Sequence, residues 1–476
     1  MSSDFLWQAE DIVRTVRGTC LHEQSWDAKG VSIDSRLTAK GDLFIALQGA
    51  HHDGHDYVTA AFAAGASAAI VARQPQNVSP TAPLIFVEDT AIALNELGRE
   101  ARNRSRAKII AVTGSVGKTS TKEMLRLCLS AVGKTYASPL SYNNHVGLPL
   151  ALANLPPDAN FGVFEMGMNH AGELRGLSLL ARPDIALITT VDAVHVENFS
   201  SLDSIADAKA EVFEGLGEKG VVILNRDDSW YAKLSAAAKK RGCKNIVCFS
   251  ETMKGDASLR ECASSGQGSA IKAVVDGHKV SFSLASPGRH LVRNALAALL
   301  GAYAACGHAE ECAAALSHFR PLKGRGAAHS IAFCGGHLHV VDETCNTSPV
   351  SVRAVIKALA EAVPESEGRR ILVLGDMPEL GATSPDLHLD LVSDIRGAGV
   401  DLVFCCGDLM RYLFDALPPA LRGAFAPDSE ELAFFLARAV RTGDVVTVKG
   451  PRSMDMDRII EALNALADPE QIVVNA

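Results

Sequence analysis

No apolar run among the 476 residues approaches the ~20 that a helix needs to cross a bilayer, which excludes a helical membrane span. The opening stretch MSSDFLWQAEDIVRTVRG also lacks the basic-then-apolar order of an export signal, so a cytoplasmic protein is expected. Cys-x-x-Cys pairs are missing too: the 11 cysteines are odd in number, scattered, and set in apolar segments such as RLCLS and VFCCG. A thiolate zinc site, a dithiol redox motif and a disulfide framework fall away, leaving reduced core thiols. The chain has no basic stripe, and its net charge of −9 argues against a nucleic-acid partner while leaving room for local phosphate sites. Internal repeats and low-complexity tracts are absent. What is there is a 47% hydrophobic chain, too long for one core, which predicts two or three domains.

The most informative stretch is KIIAVTGSVGKTST, residues 108–121. An apolar β-branched run over 109–112 reads as a buried strand, and Met124, Leu125 and Leu127 mark the helix that follows. Between them Thr113, Gly114, Ser115, Val116, Gly117, Lys118, Thr119 and Ser120 form a glycine-rich turn into a helix N-terminus. Such a turn cradles phosphate: backbone N–H groups point inward, Lys118 supplies charge, and the Thr119 hydroxyl can ligate Mg²⁺. The usual first glycine of a P-loop would stand where this chain has Val112, and the early glycine is Gly114 instead. A chance Gly-Lys-Thr in a βα turn is the competing reading; the readable strand and helix favour a nucleoside triphosphate.

Three α/β units follow from the alternation of strands and helices, at 1–107, 108–318 and 319–476. The first has strands at 42–47, 68–71 and 84–87 and helices at 56–64 and 90–104, the latter capped at Asp89/Thr90. His51, His52 and His55 lie in its HHDGHDY; the turn at Gly54 and the want of a second ligand group favour a polar loop over zinc. The central unit adds strands at 162–165, 185–190 and 221–224, a helix at 201–216, a hairpin excursion over 244–286 turning at Asp276-Gly277, and a helix at 291–306. The last has strands at 337–341, 370–374, 402–405 and 445–448. Mostly parallel sheets covered on both faces place ligands at the carboxyl ends of strands, where Glu165, Asp192 and His195 fall. Glu165, closing an apolar strand, suits a hard Mg²⁺. On residue type alone, His195 and Lys209 read equally well as a loop histidine and a solvated helix lysine.

Collected in order, these segments resemble the Mur ligase family. The resemblance runs from about residue 32 to about residue 465 and rests on SIDSRLTAKGDLFIALQG, TGSVGKTSTKEML, SYNNHVGLPLAL, FEMGMNHAGEL, TTVDAVHVENF, IADAKAEVFEGL, LNRDD, PGRHLVRNALAAL, KGRG, VVDETCNTSPVSVRAVI, LVLGDMPELG and VKGPRSMDM. It implies a UDP-binding first domain, a P-loop central domain and a Rossmann-like third domain, acting on ATP with two Mg²⁺ ions. By resemblance, Lys118, His195 and Lys209 are catalytic, and Thr119, Glu165, His195 and a carbamylated Lys209 hold the metals. Asn143 and Asn144 would approach the γ-phosphate, His290 and Asn294 the adenine, Arg325 the phosphates and Asp342 the ribose. Ser32, Asp34, Ser35 and Arg36 would serve the UDP end, Asn346 and Lys449 the other substrates.

The family's usual DDSYNANP stands here as DETCNTSP, so that Cys345 replaces an aromatic. The Asp-Asn-Pro-Arg signature of diaminopimelate-adding members is absent, while GDMPELG resembles members that take the dipeptide D-Ala-D-Ala. The implied partners are therefore UDP-N-acetylmuramoyl-tripeptide and D-Ala-D-Ala, joined by a monomer through an acyl phosphate. The alternatives are a ligase adding diaminopimelate or lysine, and a P-loop ATP binder that ligates nothing.

Overall fold

A computed structural model describes residues 5–20, 26–49, 51–79, 81–139, 141–194, 196–199, 201–265, 268–286 and 288–467. Its centre is a nine-stranded sheet in which Lys108–Thr113 lies between Phe161–Glu165 and Ile185–Ile188. The residues 109–112 are fully buried, as expected of a parallel strand covered on both faces. One face packs against the helices Lys118–Ser130, Arg289–Cys306 and Ala309–Leu316; the other against Gly147–Ala153, Glu173–Ala181, Leu202–Ala210 and Tyr231–Lys240. Because all these strands run parallel, the loops leaving residues 113, 165 and 188 emerge side by side at one edge. That register brings the phosphate loop, Glu165 and Thr189 together.

The first unit carries a five-stranded sheet and a two-stranded one, Trp7–Gln8 with Asp27–Ala28, and the third a six-stranded sheet, so each of the three units is α/β. Trp7 Nε1 donates to Ala153 O at 2.8 Å, and Asn154 exchanges two 2.9 Å hydrogen bonds with the Val31 backbone, fixing the first unit to the second. Across the central–third junction Arg325 Nη2 donates to Ser141 Oγ at 2.9 Å. Among the described residues no helix is long and apolar enough to cross a membrane.

Several expected elements are trimmed for reasons in the packing. The strand expected over 185–190 stops at Ile188, since Thr189 and Thr190 leave the sheet to bond the phosphate loop and Asp228. The helix expected over 201–216 runs from Leu202 to Ala210 and tightens into a 3₁₀ turn, Glu211–Gly215, where Glu211 accepts from Gly172 N and Gly215 abuts Ser178. Strands Ala257–Ser265, Ala327–Phe333 and Arg422–Ala426 lie beyond the sequence reading. The hairpin at Asp276-Gly277 is present with both residues at positive φ. In HHDGHDY, His55 is buried rather than a polar loop residue: its Nδ1 meets Asp53 Oδ1 at 2.6 Å and its Nε2 accepts from Ala72 N at 2.9 Å.

Candidate active site

The loop 114–117 turns the strand Lys108–Thr113 into the helix Lys118–Ser130 through two glycines at φ +140° and +84°. Both are forced by neighbours as well as by the turn. A Cβ on Gly114 would run into Thr189 Oγ1, and one on Gly117 would come within 2.5 Å of Asn294 Oδ1. Gly117→Ala therefore strains the backbone by about 1 kcal/mol and displaces a buried side chain. The expected result is roughly tenfold weaker ADP binding by calorimetry, since backbone N–H groups make the cradle; unaltered affinity would remove the turn from nucleotide binding.

Behind the loop, Thr119 Oγ1 donates to Glu165 Oε2 at 2.7 Å and Asn143 Nδ2 to Glu165 Oε1 at 2.8 Å. Glu165 is 1% exposed, yet these neutral donors are its hydrogen-bond partners among the described residues. A buried carboxylate so held needs more positive charge than a hydroxyl and an amide bring. Thr119 and Glu165 offer hard oxygen donors at a helix N-terminus, a donor set that fits Mg²⁺ completed by phosphate oxygens and water. Among the described residues no three His, Cys, Asp or Glu side chains form a cage.

Two lysines complete the electrostatics. Lys118 Nζ folds over the loop, donating to Gly114 O at 2.8 Å and Ser115 O at 3.2 Å. Burial lowers its pKa, Glu165 opposes that and Arg325 adds to it. Lys209, on the helix Leu202–Ala210, is 1% exposed. Burial first, and the Lys118 cation second, hold its pKa well below the ordinary lysine value. Residue type left this lysine open between a solvated helix position and a functional one; in the structure its side chain is buried.

The phosphate loop opens on a cleft of about 1360 Å³ between the central and third units. That exceeds the ~300–1,000 Å³ of a pocket for one small ligand and has room for more than one. Ser115, Val116, Gly117, Lys118, Ser120, Asn143, Asn144, Glu165, His290, Asn294, Arg325, Asn346 and Lys449 line it, as does Cys345. Asn144 also has a structural task, its Oδ1 accepting from Val146 N and Gly147 N. Lys449 Nζ donates to Asn346 O at 2.7 Å and lies 3.4 Å from Glu343 Oε2. Burial lowers the pKa of His290 and so favours the neutral ring.

Other sequence-selected residues stand apart from this lining. Thr113 and Thr119 are buried behind the loop. Asp342 is 2% exposed and its carboxylate fastens a turn, accepting from Gly324 N at 2.8 Å, Thr344 Oγ1 at 2.7 Å and Thr344 N at 3.1 Å. Ser32, Asp34, Ser35 and Arg36 belong to the first unit, where Asp34 and Arg36 pair at 2.6 Å. His195 lies outside the described residues.

Cleft residues that sequence reasoning missed include Glu251, Arg289 and Arg293. Glu251 Oε2 lies 3.1 Å from Arg289 Nε and its Oε1 2.8 Å from Arg293 Nε, beside Asp227 and Thr252. Only the i,i+4 spacing of the two arginines was visible in the chain, because their acidic partner is about 40 positions away.

Profiles of three known domains match this chain: Mur ligase family, catalytic domain, over 27–112; Mur ligase middle domain over 112–302; and Mur ligase, glutamate ligase domain, over 332–452. The UDP-N-acetylmuramoyl-tripeptide--D-alanyl-D-alanine ligase of Rickettsia prowazekii (strain Madrid E) is 32% identical over 431 residues, 90% of this chain and 94% of that one. The enzyme of the same name from Escherichia coli (strain K12) is 33% identical over 436 residues, 91% and 93% of the two chains. Among solved structures, MurF from Acinetobacter baumannii superposes with a TM-score of 0.82 at 29% identity, covering 96% of this chain and 99% of that one. MurF from Thermotoga maritima in complex with ADP gives a TM-score of 0.75 at 25% identity, covering 92% and 97%. Similarity this extensive, running through the phosphate loop and both flanking units, makes the chain a member of the Mur ligase family.

Proposed function

We propose that this chain is an ATP-dependent, ADP-forming ligase that joins D-Ala-D-Ala to UDP-N-acetylmuramoyl-tripeptide in the cytoplasmic synthesis of peptidoglycan precursors. The observation that carries the reading is the cleft itself: a phosphate loop with its hard-oxygen pair, Thr119 and Glu165, faces cations of the third unit. The relatives named above support the choice of substrates. The working unit is a monomer, with domain boundaries near residues 107 and 318.

The terminal carboxylate of the peptide attacks the γ-phosphorus of ATP and ADP leaves, giving an acyl phosphate. The amine of D-Ala-D-Ala then adds to the acyl carbon, loses its proton, and the tetrahedral adduct collapses to the amide with release of phosphate. Lys118 and Arg325 neutralise charge on the transferring group, and Asn143 and Asn144 orient its oxygens. Loop N–H groups at 114–119 hold the remaining phosphates, with His290 and Asn294 on the adenine side. Asp342 acts at the ribose end by holding the turn at Gly324, and so Arg325, in place. Two Mg²⁺ ions, when bound, would be held by Thr119, Glu165, His195 and a carbamylated Lys209, and would supply positive charge beside the phosphates. Ser32, Asp34, Ser35 and Arg36 bind the UDP end, while Asn346 and Lys449 approach the reacting ends of the substrates. Since the three ligands come from three domains, alignment requires the domains to be held together and water excluded.

The test supplies ATP and the UDP-linked tripeptide with D-Ala-D-Ala, diaminopimelate or lysine separately, and weighs the product by mass spectrometry. A product heavier by the dipeptide less one water is expected. Ligation of a single amino acid in preference to the dipeptide, or phosphate release independent of both substrates, would overturn the assignment.

A further inference from the structure

Ligation requires the acceptor dipeptide to present its amine to the acyl carbon while its other end, a carboxylate, stays close by. Two residues span at most ~7 Å when extended, so that carboxylate comes to rest near the reacting groups. A carboxylate carried into a cleft without a cation is costly, and the guanidinium, a fixed fork of N–H donors, is the side chain best matched to it. Most cations of the cleft are already engaged. Arg289 and Arg293 share Glu251, Arg353 Nε lies 2.9 Å from Asp394 Oδ2, and Lys449 meets Asn346 O and Glu343. Lys118 lies over the phosphate loop, and Arg325 is near enough to lower the pKa of Lys118, which sets both on the phosphate side. Lys357 also lines the cleft, but it stands eight residues into the helix Pro349–Glu361, ~12 Å from its start.

Arg452 is placed differently. It follows the strand Val445–Lys449 by three residues, lines the cleft and is exposed. Among the described residues its guanidinium has no carboxylate partner; its Nη2 meets Cys345 Sγ at 4.0 Å. Sulfur is a weak acceptor, so this contact locates the guanidinium and leaves its donors available. It also sets Arg452 beside Asn346, whose carbonyl oxygen accepts from Lys449 Nζ at 2.7 Å. The backbone under the side chain is stiff. Pro451 is buried, a Cβ on Gly450 would come within 2.5 Å of Met456 Cγ, and Arg452–Met454 is a 3₁₀ turn in which Met454 N donates to Pro451 O at 3.2 Å. An unpaired fork on a rigid turn, one residue from the group that holds Lys449, is preorganised for a ligand.

We propose that Arg452 receives the C-terminal carboxylate of the acceptor dipeptide, and so makes the site select an acceptor that carries a free carboxylate two residues from its amine. This rests on the ligase reading above and on its choice of acceptor. Arg452 is a binding residue in this assignment: it forms charge-assisted hydrogen bonds to the dipeptide and takes no part in phosphoryl transfer. Nucleotide binding stays with the central unit, whose phosphate loop does not include it.

The experiment compares two acceptors, D-Ala-D-Ala and its C-terminal amide, in steady-state ligation by wild-type protein, Arg452→Ala and Arg452→Lys. The amide keeps the amine and the shape of the dipeptide and removes only the carboxylate charge. Wild-type protein is expected to prefer the acid by about a hundredfold in kcat/KM, Arg452→Lys by about tenfold, and Arg452→Ala by about threefold or less. The loss should fall on KM for the dipeptide, with KM for ATP within about twofold. Because the readout is a ratio of two acceptors in one preparation, a poorly folded fraction cancels from it. Equal losses on acid and amide in Arg452→Ala overturn the inference, as does a wild-type protein that accepts both dipeptides alike, or a loss that falls on KM for ATP or for the UDP-linked tripeptide. Failure of the wild-type protein to ligate either dipeptide withdraws the functional reading instead, and this inference with it.

Discussion

Lys118→Ala is expected to lower kcat for ligation by about a thousandfold while changing the apparent affinity for ATP much less. The ammonium lies over the loop carbonyls of Gly114 and Ser115, at the mouth of the cradle. A preorganised positive donor aimed at charge that develops in transfer is worth roughly 3–4 kcal/mol, whereas the ground-state phosphates keep the loop N–H groups and Arg325. The fold itself resists this cation. Burial and Arg325 both lower the pKa of Lys118, and the charge of Lys118 in turn lowers that of Lys209. Removing it relieves repulsion among three cations, so the melting temperature of the ligand-free variant should hold or rise, although Glu165 loses a favourable neighbour. Kinetics and melting together check the argument. Wild-type turnover would remove Lys118 from the mechanism, and a melting temperature several degrees lower would show that it supports the fold.

What was legible in the chain is local, and what was hidden is tertiary. The phosphate loop could be read because Gly114, Gly117 and Lys118 fall within five positions and their reasons are contained in one turn. Glu165 could be read because a carboxylate ending an apolar strand is already anomalous. Lys209 could not, since AKAEVFEGL is compatible with a solvated lysine, and its burial is a tertiary fact that the local sequence does not show. The Glu251–Arg289–Arg293 network was silent for the same reason. Residues 189 and 190 kept strand-like composition but follow the phosphate loop out of the sheet, so propensity lost to hydrogen bonds that only the fold supplies. The polar composition of Ala257–Ser265 concealed a strand because it meets the parallel sheet only at Ala257 and Ser258 and takes the rest of its pairing from the antiparallel strand Gly268–Val275. Asp342 also has a structural task that the sequence did not show, its carboxylate accepting hydrogen bonds from Gly324 and Thr344.

Lys209→Ala is expected to cost about a hundredfold or more in kcat, and the unsubstituted protein to lose activity when carbon dioxide is stripped from the buffer. An ammonium at this position makes poor sense beside Lys118 and within reach of a nucleotide's cations, because it would add like charge to like charge in a desolvated place. The depressed pKa means that the free amine is populated nearer neutrality than for an exposed lysine. That amine can add to CO₂: an N–C bond forms, one proton is released, and the neutral amine becomes a carbamate of charge −1. A carbamate there would convert a repelled group into an oxygen donor, and removing a group that would hold or orient a metal costs ~10–100-fold or more. The sign with pH follows. Falling pH protonates the amine and returns the carbamate to CO₂, so activity is lost toward acid and recovered above the lowered pKa in the presence of bicarbonate. Dialysis against CO₂-free buffer at mildly acidic pH, followed by assay at slightly alkaline pH with and without bicarbonate, separates the two forms. Recovery should require bicarbonate in the wild-type chain, and bicarbonate should have no effect on Lys209→Ala. Full activity of the stripped wild-type protein would leave Lys209 as an uncharged buried amine, and full activity of Lys209→Ala would remove it from the site altogether.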